Sequence, residues 1–416
     1  MIQKGITPFL YLKTLELILN RYSYKRVKMK ILICHNTYQQ KGGEDQVCDK
    51  ERSLLTQQGH SLYYHIRSND HIHSFKDKLA TSVQLNYSQT EKATLTQVLK
   101  QELPDVVHVH NFFPILTPSI YDACIESKIP VIQTLHNYRT ICPSALLMRD
   151  GQLCETCINH SPYHAVIHKC YRDSSIGSFF VANMVAYHRK HKTWQTKVNR
   201  FIALTQFSKS KFVEAGFPAD KIRVKPNFIE DPFKDGETLP TKQEKALFVG
   251  RFSQEKGVSV LLEAWQSIQF PLYLAGDGPT FGASTEQSMN NDIHFLGSQS
   301  AAQVHDLMSQ AQFLVMPSIC YEGFPMVLLE AFAHGMPVIC SRLGGMAEIV
   351  EDGVTGLHFE AGNVDDLAAK VKWLLAHPNE CTQMGNNARV EYLAKYTPEI
   401  NYQQLMAIYQ EAIDET

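Results

Sequence analysis

The chain has 416 residues, 44% hydrophobic and 20% charged, with 40 basic against 42 acidic side chains for a formal net charge of −2. That length suits two α/β domains better than one core, and the composition excludes wholesale disorder. The balanced charge excludes capture of nucleic acid by overall electrostatics, so an anionic ligand needs a local site.

Residues 1–28 carry Lys4, Lys13, Arg21, Lys25, Arg26 and Lys28 against a single acid, Glu16, with apolar residues such as Phe9, Leu10 and Leu19 between them. They read first as an upstream extension before a natural start at Met29. The second reading is a basic amphipathic segment on the inner face of a membrane. A signal peptide fits poorly because no small-residue cleavage site follows, so the expected location is the cytoplasm, with peripheral membrane contact as a variant. No run reaches the roughly 20 apolar residues of a membrane-crossing helix.

From residue 30, short apolar runs alternate with longer amphipathic ones. Strands are expected at 31–34, 61–64, 106–110 and 131–135, with helices at 44–58, 178–192 and 208–215. Residues 228–245 are rich in Asp, Glu, Lys, Pro and Gly and read as a linker. Strands then recur at 246–249, 272–275, 294–296, 313–316 and 338–340, with a helix at 258–266 and a helical tail over 396–413. This alternation predicts two Rossmann-like, doubly wound halves. Ligands of such halves sit beyond the carboxyl ends of the strands, so two halves facing one another place theirs in a central cleft.

Four local patterns carry the chemistry. In Glu322-Gly323-Phe324-Pro325-Met326, a loop carboxylate precedes a helix that holds Glu330 further in. Pro325 suits a first helical position, and free N–H groups at the helix start suit a diphosphate. Arg251 and Lys256 lie five apart across a turn after a strand, able to close on one diphosphate as a fork and a point charge. Gly42-Gly43 between the first strand and its helix lets backbone approach a phosphate. His108, His110 and His136 sit at strand ends, with Asn111 and Asn137 following the latter two. Taken singly, each pattern also fits a solvated turn, a solvated helix face or a structural histidine.

The string 322–339, continued through 341–350 and 352–357, closely resembles the donor-binding motif of family 4 glycosyltransferases. The resemblance implies a retaining GT-B enzyme with domains at 29–227 and 228–395, and a last helix, 396–416, crossing back to the first domain. It implies that Glu322 binds the donor sugar, assisted by the Gly323, Phe324, Pro325 and Met326 loop, and that Glu330 binds the ribose. Arg251 and Lys256 would clamp the phosphates, and Gly42 and Gly43 would lie beneath them. His136 would be the active-site histidine, with His110, Asn111 and Asn137 on the acceptor side. The family pattern departs at Pro226-Asn227-Phe228-Ile229, where Pro-Asn-Gly-Val is common, and weakens at 65–100 and 142–195.

Cys142, Cys154, Cys157 and Cys170 form a C-x11-C-x2-C-x12-C cluster inside the first domain. It suits a structural zinc, with His160, His164 and His168 as alternative ligands and disulfides or free thiols as the competing readings. No cofactor is expected for catalysis. The expected partners are a nucleotide-sugar donor and a hydroxyl acceptor, either a glycan or a lipid-linked sugar, and no nucleic acid. The rival readings are a nucleotide-sugar epimerase or hydrolase on the same fold, and a non-catalytic sugar-nucleotide binder.

Overall fold

The computed structural model describes residues 28–39, 42–72, 74–233, 237–287 and 290–416. The basic extension expected at 1–28 lies outside them save for Lys28, as does 234–236 of the linker.

Strands form where aliphatic and β-branched runs lie between turn residues. In the first half these are β1 (Lys30–Thr37), β2 (Ser61–Ser68), β3 (Val106–Asn111) and β4 (Val131–Leu135). A small antiparallel hairpin follows, β5 (Met148–Arg149) and β6 (Gln152–Leu153), and then β7 (Arg200–Ala203) and β8 (Ile222–Val224). The second half has β9 (Ala246–Val249), β10 (Leu272–Ala275), β11 (Ile293–Gly297), β12 (Phe313–Met316), β13 (Val338–Ser341) and β14 (Gly356–Phe359).

The hairpin apart, the strands pair in parallel as two sheets, ordered β2-β1-β3-β4-β7-β8 and β11-β10-β9-β12-β13-β14. Helices cover both faces, and every residue of β3, β4, β7, β12 and β13 is buried. The direction of winding reverses between β1 and β3 in one sheet and between β9 and β12 in the other. Those reversals are where ligand crevices open in doubly wound folds.

The final helix, Pro398–Asp414, returns to the first sheet. Its Leu405, Ile408, Tyr409 and Ala412 share a buried cluster with Ile31, Ile33, Val106 and Ile202. Polar ties fix its register. The Tyr409 hydroxyl is 2.7 Å from His108 Nδ1, and Glu411 pairs with Arg200 at 3.1 Å. The preceding helix, Pro378–Lys395, instead packs Ala388 and Tyr392 against Leu328 and Phe332 of the second half. The halves also meet through Glu348, whose carboxylate accepts the backbone N–H groups of Gln206 and Phe207 at 2.7 and 2.8 Å. It thereby caps the first turn of the first-half helix Gln206–Glu214.

Several sequence expectations shift. Pro325 is the residue before the helix, with ψ 111°, and Met326 opens it. The helix expected at 178–192 spans Ser175–Lys190, because the Ser174 side chain accepts Gly177 N–H and starts it earlier. The stretch between 65 and 100, where no element was expected, holds the helices Phe75–Gln84 and Gln89–Glu102.

Candidate functional site

Three of the sequence patterns and part of the fourth fall at the two reversal points, while His136 follows β4, one strand further on. Gly42 and Gly43 follow β1, and His110 and Asn111 end β3. Arg251 and Lys256 follow β9, and Glu322 follows β12. A cleft of about 840 Å³ opens at the carboxyl ends of β9, β10 and β11, lined by Gly250, Arg251, Gly276, Asp277 and Gln299 of the second half and by Gln46 of the first; of the pattern residues, Arg251 is the one that lines it. Its floor is tightly built. Gly276 has φ 145°, and a Cβ on it would lie 1.8 Å from the Gly250 carbonyl oxygen, so no other residue fits.

On the second half, Glu322 Oε1 accepts from Lys256 Nζ and from the Ser318 hydroxyl, each at 2.7 Å. Burial opposes the Lys256 charge, but Glu322 more than offsets it and raises the ammonium pKa. The helix Met326–Ala333 has no side-chain cap at its N-terminus, which leaves N–H donors there. Glu330, in its second turn, is pushed up by burial, with Lys50 of the first half opposing.

On the first half, a chain of contacts leads to His136. Glu51 Oε1 lies 3.1 Å from His108 Nδ1 and 3.2 Å from His110 Nε2. His110 Nδ1 is 3.0 Å from His136 Nε2, with the two rings stacked. Burial, which alone would raise Glu51, is outweighed by Lys225 and His108, so its pKa lies well below the usual value. Burial and His108 push His110 down to about 3, and burial and His110 push His136 well below the usual range. Both rings are therefore neutral. With an anion facing His110 Nε2, the proton belongs on that nitrogen. His110 Nδ1 then accepts from His136 Nε2–H, and His136 Nδ1 is left as a bare lone pair. The contact between Glu51 and His110 is poorly aligned for a hydrogen bond and acts as an electrostatic one.

Glu44 stands directly after the two glycines. Its Oε2 accepts from Asn137 Nδ2 at 3.0 Å, while Oε1 is buried without a partner. Burial and the adjacent Asp45 push its pKa up to about 8. Asp45 is held low: burial alone would raise it, but His35 Nε2 at 2.8 Å and the Gly42 N–H at 2.8 Å outweigh that. Glu44, His110, His136 and Asn137 line a small pocket of about 20 Å³, room for one water.

The two halves touch at the site itself. A Cβ on Gly323 would stand 2.5 Å from the His136 carbonyl oxygen. Phe324 packs edge-on to Tyr396, while Pro325 is buried beneath the loop. Asn111 is committed to backbone, giving its Nδ2–H to Asn36 O and accepting Phe113 N–H. His110 is buried behind His136 rather than open to the cleft. Sequence reasoning gave no role to Glu44, Glu51, Lys50 or Ser318. The first three sit on one helix, Gly43–Gln57, where acids and bases ordinarily face water.

Two facing doubly wound units with reversal points on one cleft define the GT-B class of protein. Residues 53–231 match the family described as Glycosyltransferase Family 4, and residues 230–391 match Glycosyl transferases group 1. The chain belongs to the family 4 glycosyltransferases.

An uncharacterized glycosyltransferase of Methanocaldococcus jannaschii is 36% identical over 171 residues, covering 40% of this chain and 48% of that one. The lipopolysaccharide 1,2-N-acetylglucosaminetransferase of Salmonella typhimurium is 29% identical over 224 residues, 48% of this chain and 58% of that one. The chain thus spans about half the length of the curated relatives it matches. Among solved structures, Anabaena HepE in complex with UDP aligns with TM-score 0.65 at 18% identity, over 92% of this chain and 100% of that one. Sucrose-phosphate synthase of Thermosynechococcus elongatus aligns with TM-score 0.67 at 16% identity, over 94% and 100%. Those two likenesses are of fold.

Proposed function

We propose that the protein transfers a sugar from a nucleoside-diphosphate sugar to a hydroxyl acceptor with retention of anomeric configuration. The observation that carries this reading is the meeting of Lys256–Glu322 with the His136 loop across Gly323. It brings the backbone of the loop that carries His136 against the loop that carries Glu322 and its partner Lys256.

In this reading the domains are 29–227 and 228–395, with 396–416 returning to the first. Arg251, Lys256 and the N-terminus of the helix Met326–Ala333 receive the diphosphate. Glu322 holds sugar hydroxyls and Glu330 the ribose. Glu44, protonated near neutrality, donates a hydrogen bond at the Gly42-Gly43 loop, where a carboxylate would repel phosphate. The bare Nδ1 of His136 accepts from a hydroxyl and orients it.

The acceptor oxygen attacks the anomeric carbon on the face the leaving group departs from. The bond from that carbon to the phosphate oxygen breaks, and the acceptor proton passes to that oxygen. Preorganised cations stabilise the charge that develops there, so turnover needs no divalent ion. UDP in the HepE complex and the lipopolysaccharide activity named for the Salmonella relative favour a UDP-sugar and a glycan or lipid-linked acceptor, met at the cytoplasmic face. Among the described residues no helix is long and apolar enough to cross a membrane.

The test is release of nucleoside diphosphate from UDP-, GDP- and ADP-sugars, with and without a lipid extract, in EDTA. Acceptor-stimulated release from one donor supports transfer. Release indifferent to acceptor points to an epimerase or hydrolase, and binding without turnover to a sugar-nucleotide binder.

A further inference from the structure

Cys142, Cys154, Cys157 and Cys170 are free thiols and are not gathered into a metal-holding group among the described residues. What their segment and the helix after it do present is an apolar face. The helix Ser175–Lys190 buries Ser178, Val181, Met184 and Val185, while Ile176 and Phe179, three apart on the other face, are exposed. Tyr163 joins that face, its ring 6.1 Å from the Phe179 ring and its hydroxyl donating to Asn183 Oδ1 at 2.8 Å. Ile167, one turn on from Tyr163, is 75% exposed, the most open large apolar side chain among the described residues. Exposed apolar residues scattered singly are ordinary, but neighbours on packed helices make a patch. The helix Phe75–Gln84 packs beside Ser175–Lys190 and leaves Leu79 and Val83, also one turn apart, exposed.

We infer that this face docks on an anionic lipid bilayer. The charges around it select that occupant. Between residues 159 and 192, Lys169, Arg172, Arg189, Lys190 and Lys192 stand against one acid, Asp173, in a chain whose net charge is −2. Arg189 is turned inward, donating to the carbonyls of Cys157 and His160 at 2.7 and 3.0 Å, but the other four are exposed. Lys76 and Lys78 on the neighbouring helix are exposed too, while Asp77 accepts the Ser74 N–H. Apolar side chains ringed by Lys and Arg suit a surface with acyl chains beneath anionic headgroups. A second copy of the same face would set like charges against each other.

The face also backs onto the acceptor side. Tyr171, between Ile167 and Ile176 in sequence, meets Phe113 edge-on at 6.0 Å, and the Arg139 guanidinium stands 5.1 Å from its ring. Phe113 and Arg139 line the pocket that holds His136. A lipid-linked acceptor would thus reach that pocket without leaving the membrane surface. The docking rests on the surface alone, and only this last consequence rests on the transfer reading.

The test sediments the full chain with vesicles of phosphatidylcholine, or of phosphatidylcholine and phosphatidylglycerol in equal amounts. Wild type should bind the mixed vesicles about tenfold or more tightly than the neutral ones, and salt should weaken the difference. Ile167→Ser, Ile176→Ser and Phe179→Ser combined should lower binding to the mixed vesicles about tenfold or more. Lys169→Glu with Arg172→Glu should remove the preference for anionic lipid. All five side chains are exposed, so melting temperature and nucleoside-diphosphate affinity should stay at wild-type values. If the triple variant melts early, the charge-reversed pair decides. Glu322→Ala should lose turnover and keep vesicle binding, so this proposal and the transfer reading fail separately. Wild type indifferent to anionic vesicles overturns the proposal, as does binding that survives both sets of substitutions. So does a wild-type dimer that the triple variant converts to monomer, which would assign the face to a second copy.

Discussion

Lys256 Nζ and Glu322 Oε1 form an ion pair at 2.7 Å, joining the cation assigned to the diphosphate to the carboxylate assigned to the sugar. Neither is fully exposed, and Ser318 completes the carboxylate's shell. Donor binding at one residue therefore alters the other. Lys256→Ala and Glu322→Ala should each lower kcat/KM by about 10²–10³. The double variant should lose much less than the product of the two, as residues in one network are not additive. Steady-state kinetics of the four proteins check this, and fully multiplicative losses would rule out coupling.

Gly43 and Gly323 make opposite demands. Around Gly43 an added Cβ meets nothing within 4 Å, whereas at Gly323 it meets the His136 carbonyl at 2.5 Å. Gly43→Ala should thus match or exceed wild-type stability, by up to about 1 kcal/mol for an alanine in a helix. It should nevertheless weaken donor binding about tenfold or more, by filling space beneath a phosphate. Gly323→Ala should push the halves apart and lower kcat with the cleft otherwise intact. Thermal melts beside donor calorimetry distinguish these patterns.

Glu44 supplies a pH signature. Its folded pKa of about 8 lies above the ordinary glutamate value, so the folded state holds a proton that the unfolded state releases. Its contribution is neutral at acid pH, becomes unfavourable above the ordinary value, and reaches its full cost above about 8. Glu44→Gln should therefore leave stability unchanged near pH 4 and add about 2 kcal/mol by pH 8.5, the half-buried setting discounting the full shift. Wild-type donor affinity should also fall as pH rises through 8, and the variant should lose that limb. Melts and titrations across pH read both effects, and identical profiles would remove Glu44 from the site.

Glu51 and Lys225 pair at 3.1 Å with side-chain exposures of 3% and 2%. Glu51→Gln strands a buried ammonium and should cost about 3–5 kcal/mol. Lys225→Met added to it should restore much of that. The double variant should still turn over more slowly, because no anion then fixes the His110 and His136 protons. Urea unfolding measures the first effect. Unchanged kcat in a stable double variant would show that the proton arrangement at His136 does not depend on Glu51.

Apolar runs broken by turn residues were enough to place β4, β9, β10 and β12 at their observed bounds, because a strand buried on both faces needs a continuous aliphatic stretch. Glu322, Arg251 and Lys256 stand out only through the resemblance of their strings to family 4 motifs, because their local spacing alone fits a solvated turn or helix face equally well. The Glu51–His110–His136 chain was not legible. Its members come from a helix, a strand and the loop after the next strand, and a mid-helix glutamate looks the same in sequence whether it faces water or the buried end of a sheet. Glu44 gave no signal either, since its protonation follows from burial and from Asp45, a matter of depth rather than residue type. Local order was written in the sequence. Which charged groups lost their water, and so which way their protons moved, was decided only when the last helix and the second half closed over them.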